Sequence, residues 1–156
     1  MKTQSIILDD LDEENETLGL IRAVKHLPDH EFIFHINQNN SFYFKRIDDL
    51  KYYGEYYDHS FPVFEGYDKV NKECIKIIAN RSLPTDPKKE ITELFIEEED
   101  TMFLINKYRD IDYIIKTSDR INDFSLLLLP KFLAFEVQEY ILSSDEELYQ
   151  MIQDYE

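Results

Sequence analysis

At 156 residues with 43% hydrophobic content, the chain is long enough to bury a substantial core without a metal or a disulfide, which excludes a disordered protein as the main reading. Its 33 acidic residues against 17 Lys plus Arg leave a net charge of −16, a surface that repels phosphate backbones and anionic lipid heads and attracts basic proteins. Cys74 is the only cysteine, and the longest aliphatic run is far shorter than a membrane span, so a single cytoplasmic domain over residues 1–156, without intrachain disulfide or membrane contact, is expected.

In chain order, residues 5–8 read as a short apolar strand that runs into the acidic loop 9–16. Residues 18–24 read as a buried strand, and Pro28 suits the first turn of a helix. Residues 29–37 admit either a helix or a strand, because Phe32, Phe34 and Ile36 alternate with Ile33 and His35. After the turn signal Asn39-Asn40-Ser41, residues 42–47 form a strand, and residues 50–57 a tyrosine-rich connection around Gly54. Strands are expected at 60–64 and 74–79, separated by a turn at Gly66-Tyr67-Asp68. Residues 82–90, with Pro84 and Pro87, form a loop. The spacing of Ile91, Leu94 and Phe95 predicts one helical turn, ending at Glu97-Glu98-Glu99-Asp100.

Two further strands follow at 102–105 and 111–116, with Ile111, Tyr113 and Ile115 on one face. Ser118 is a good N-cap for a helix whose stripe is Ile121, Phe124, Leu127 and Leu128, and Pro130 stops it. Residues 132–141 read as a strand. A last helix begins at the capping box Ser144 and Glu147, burying Leu148, Met151, Ile152 and Tyr155. Strand–helix–strand units at 111–141 and 18–47 predict an α+β fold: a mostly antiparallel, ferredoxin-like sheet with extra strands and two to three helices on one face.

The segment Ile105-Asn106-Lys107-Tyr108-Arg109-Asp110-Ile111-Asp112-Tyr113 resembles the signature of the bacterial IPExxxVDY family. Ile105, Asp112 and Tyr113 match it and Ile111 stands for Val, while Asn106 and Lys107 replace the Pro and Glu. The acidic start at 8–13 and Leu20-Ile21-Arg22-Ala23 are similar to its opening. The resemblance implies a small cytoplasmic bacterial protein and carries no activity or catalytic residue with it.

No catalytic or cofactor motif is present. Three glycines, Gly19, Gly54 and Gly66, cannot build a phosphate-cradling loop. Asp10, Asp12, Glu14 and Glu16 alternate like a calcium loop, but its sixth and twelfth places hold Asn15 and Ile21 rather than Gly and Glu. His26 and His30 have zinc-like spacing that Pro28 interrupts, so no metal is expected. Cys74 opens an apolar strand with no base named beside it. Phe42-Tyr43-Phe44-Lys45-Arg46 mixes aromatic and basic residues, but without the glycines of an RNA-binding strand; no nucleic-acid binding is expected.

Two features point to a site. Tyr52, Tyr53, Tyr56 and Tyr57 form a dense cluster of a residue type favoured at interfaces. Asp112 lies among apolar residues, with Arg109 nearby, as a possible polar site. The preferred expectation is a non-catalytic acidic adaptor that binds a protein with a basic surface through its tyrosines. The alternatives are a small-molecule-binding regulatory domain, by fold analogy, and a nucleic-acid mimic.

Overall fold

The computed structural model describes residues 15–118 and 123–155. The expected strand at 5–8, most of the acidic loop and the first turn of the helix expected after Ser118 lie outside these residues. Apolar residues on both faces of most strands require a sheet covered on both sides. The described elements are β1 (Glu16–Ile21), α1 (Asp29–Asn39), β2 (Lys45–Tyr53), β3 (Asp58–Asp68), β4 (Glu73–Ala79), β5 (Tyr113–Thr117), a 3-10 turn (Phe124–Leu126), β6 (Gln138–Leu142) and α2 (Glu147–Tyr155). The strands form one antiparallel sheet in the order β2-β3-β4-β5-β1-β6.

The order has a simple logic. α1 carries the chain from β1 across to β2, and residues 123–137 lead it to β6, on the far side of β1 from β5. This is the split βαβ arrangement with a meander, β3-β4-β5, in place of its single middle strand. The expected α+β sheet with extra strands is therefore present.

Period-two alternation sorts the core. Ile21, Phe64, Ile75, Ile77, Tyr113 and Ile115 face α1, where Phe32, Ile33 and Ile36 pack on them. Leu18, Leu20, Val63, Ile78 and Ile114 face the other way, against Leu148 and Ile152 of α2. The helices thus cover opposite faces rather than one, because α2 follows β6 and folds back under the sheet. Ile111 joins the α2 side and does not share a face with Tyr113 and Ile115.

Local chemistry fixes the boundaries. Residues 29–37 are helical: Pro28 opens α1, and its carbonyl accepts the Glu31 and Phe32 N–H groups. Asn39 and Asn40 donate back to the His35 and Ile36 carbonyls at 2.8 Å each, ending it. The turn expected at Gly66-Tyr67-Asp68 falls after Asp68, whose carboxylate accepts the Val70 N–H at 3.0 Å and the Asn71 side-chain amide at 2.7 Å. The expected box of Ser144 and Glu147 is replaced by one a residue earlier, in which Glu146 accepts the Ser143 N–H at 2.9 Å, and the helix itself begins at Glu147.

Two expected elements are replaced. Residues 102–105 are not a strand; Phe103 makes an isolated bridge to Arg81. The second crossover is a 3-10 turn and coil, because Asp123 takes the Ser125 N–H and hydroxyl into a local turn and Pro130 follows closely. Of the strand expected at 132–141, the end pairs in β6, and Ala134 makes an isolated bridge to Ala23.

The two-sided core makes a checkable claim. Ile36→Val and Ile152→Val should each lower stability by about 0.5–1.5 kcal/mol. In urea unfolding the double variant should equal the sum within about 0.5 kcal/mol, since the sheet separates the two sites.

Candidate functional site

The β2–β3 hairpin ends at Gly54, and residues 82–101 pass over that end as a strap without regular structure. Several bonds hold the strap down. The Tyr56 N–H donates to Glu98 Oε2 at 2.8 Å, and the Lys88 N–H donates to the Tyr56 carbonyl at 2.6 Å. Lys88 Nζ reaches the Gly54 carbonyl at 2.5 Å and pairs with Asp58 at 2.9 Å. Lys89 pairs with Glu55 at 3.0 Å and stands over the Tyr56 ring at 4.8 Å. A Cβ on Gly54 would lie 1.9 Å from Glu98 Oε1 and 2.6 Å from the Tyr57 carbonyl, so only glycine lets the strap close there.

This clamp decides where the tyrosines go. Tyr52 and Tyr53 lie on β2 rather than in a connection, and Tyr53 is 72% exposed. Tyr56 and Tyr57 are buried beneath the strap. Tyr57 stacks on His59, itself buried, with ring centroids 6.1 Å apart. His59 Nδ1 sits 3.3 Å from Ser82 Oγ, which also accepts the Met102 N–H at 2.8 Å. Burial holds the His59 imidazole below its ordinary range, although Glu98, Asp58 and Asp100 pull the other way. The pair is a closed packing element rather than a nucleophile and base open to substrate.

The strap's outer side carries the anomaly. Leu94 is 90% and Phe95 86% exposed, with Ile91 exposed beside them. Leaving each such side chain in water forgoes about 1.5–3 kcal/mol of burial. The helical turn predicted by their spacing is absent, and Glu90, Glu93, Glu97, Glu99 and Asp100 surround them, all exposed. Composition and spacing marked these apolar residues, but their exposure required the structure.

Asp112 and Arg109 are not brought together. Asp112 Oδ2 accepts the Ala23 N–H at 2.8 Å, extending the pinning of β1 beyond its last ladder bond. Burial raises the carboxyl's pKa, partly offset by that N–H and by the His26 and Arg22 charges. Arg109 lies outside, donating to Asn106 at 3.1 Å and standing over the Phe103 ring at 5.2 Å. Asp112's neighbour is instead Asp110, which Arg22 holds at 2.6 Å. Next along, Tyr113 stacks on Phe32 at 4.4 Å and donates its hydroxyl to Asp29 at 2.5 Å.

Asn80 organises the adjoining loop, and nothing in its sequence context announced this. Fully buried, it donates to the Tyr108 and Ile111 carbonyls and accepts the Ile105 N–H at 2.8 Å. The Cys74 thiol is pushed up to about 11 by burial and by Glu65, which keeps it protonated at neutral pH. Among the described residues no three His, Cys, Asp or Glu side chains converge as a metal-holding group, and no helix is long and apolar enough to cross a membrane. Compared with protein-family models, curated proteins and solved structures, the chain finds no match.

His59 gives the hairpin end a pH dependence of known sign. Its lowered folded-state pKa contributes stability that is complete above the unfolded value of about 6.5 and is lost as pH falls through the folded value. Urea midpoints at pH 7.5 and pH 5.5 should therefore fall more for the natural chain than for His59→Asn. Equal changes would remove His59 as the cause.

Proposed function

We propose that this chain is a non-catalytic protein-interaction module, acting in the bacterial cytoplasm, whose strap engages a partner with an apolar groove rimmed by basic residues. The exposure of Leu94 and Phe95 on the strap carries this reading. Ile91, Leu94 and Phe95 keep the i, i+3, i+4 spacing by which amphipathic helices enter grooves. A segment that orders only on its partner pays for that ordering, but its anchors are already free of other contacts. The surrounding carboxylates select basic rims and speed encounter. Tyr53 supports the contact from the hairpin, while the buried Tyr56 and Tyr57 act by seating the strap.

The resemblance to the IPExxxVDY family transfers no activity to this chain. Its matched residues Ile105, Asp112 and Tyr113 do packing and hydrogen-bonding work here.

Tagged protein retrieved from native cytoplasm at low and high salt tests the proposal. A stoichiometric partner should be retained at low salt, weaken at least tenfold at high salt, and be lost with Leu94→Ser plus Phe95→Ser. A partner retained equally by that double variant, or no partner at either salt, would overturn it.

A further inference from the structure

The second crossover leaves space that a helix of the split βαβ arrangement would fill. On β6, Glu139 pairs with Gly19 and Ile141 with Thr17, while Gly19 pairs on its other side with Ile115 of the α1-side core. Val137, Glu139 and Ile141 therefore stand on the α1 face, where α1 does not reach, and Ile141 is 67% exposed. Beneath residues 123–137 lies a cavity of about 750 Å³. Two residues of its lining close over the buried Gly19, where a Cβ would meet Val137 Cγ1 at 2.9 Å and the Phe124 ring at 3.1 Å.

From this geometry we infer a binding site for a small apolar amine, a primary ammonium on an aromatic or aliphatic body. The volume falls within the range of small-molecule sites, and Phe124, Leu127, Ala134 and Val137 supply an apolar lining. Asp123, Glu136 and Glu139 line the same cavity, against the single cation Lys131. Three carboxylates to one ammonium favour a cationic head and repel an anionic one. Glu139, exposed on the edge strand β6, brings its carboxylate to the cavity beside Val137. Phe135, 57% exposed at the rim, offers a ring face to a cation. The site is separate in sequence and position from the strap and does not depend on it.

Amide NMR of the full chain, titrated with tryptamine, its neutral alcohol analogue tryptophol and the anion indole-3-propionate, tests the inference. Tryptamine should give saturable shifts at Phe124, Leu127, Val137 and Glu139. Tryptophol should bind about fivefold more weakly, and indole-3-propionate more weakly still. Glu136→Gln plus Glu139→Gln, both exposed and checked for fold by the same spectrum, should reduce tryptamine to the level of tryptophol. Equal binding of the three probes, an unchanged affinity in the double variant, or tryptamine shifts that do not saturate or lie elsewhere would overturn it.

Discussion

A six-stranded sheet has two faces to keep from water, and among the described residues this chain supplies two helices of 11 and 9 residues to do so. Most of what is distinctive in the structure follows from that shortage of cover. Irregular segments must do work that helices do elsewhere, and buried irregular backbone needs partners for its polar groups. Asn80 is one solution: a single amide satisfies three backbone groups of the loop 105–111, so that loop can lie on the α2-side core. Asn40 is another, since it ties the end of α1 to both backbone groups of Leu128. Where no such device exists, the face stays open, as along β6, where Ile141 is exposed.

The same economy explains the strap. It is fastened at its base by carboxylate, ammonium and backbone bonds around Gly54, and it turns Leu94 and Phe95 away from the protein it covers. Its fastening ion pairs are exposed and individually weak, so the Tyr56 and Lys88 backbone bonds matter more than the charges. A segment held this way can change conformation beyond its anchors without disturbing either core.

Elements with strong local signals were legible in the sequence. The apolar runs of β1, β4 and β5, the apolar face of α2 and the role of Pro28 all follow from side-chain pattern and backbone chemistry. The positions of the two crossovers in the chain, though not the form of the second, were legible too, and with them the sheet's class. The helix at α1 was ambiguous because Phe32, Ile33, Phe34 and Ile36 satisfy both periods; burial of Phe32, Ile33 and Ile36 against the sheet decided it. The second crossover misled because its leucines suit a helix, whereas Asp123 and Pro130 impose turns at either end. At the candidate site, the tyrosines were visible as a cluster but not their division into buried and exposed members, which depends on a strap some thirty residues away meeting Gly54. Asn80 was invisible, since a buried amide reads like any loop asparagine until its three partners are in place.

The position of β1 bears on how the protein is made. Among the described strands it is the first to be synthesised, yet its neighbours in the sheet are β5 and β6, the last two. During translation the meander β2-β3-β4 has its hairpin partners at hand, while Leu18, Leu20 and Ile21 must wait, exposed, until the C-terminal third of the chain emerges. Closing that long loop is an entropic cost met before the central contacts return anything, so the joining of β1 to the sheet is expected to be a late and comparatively slow step.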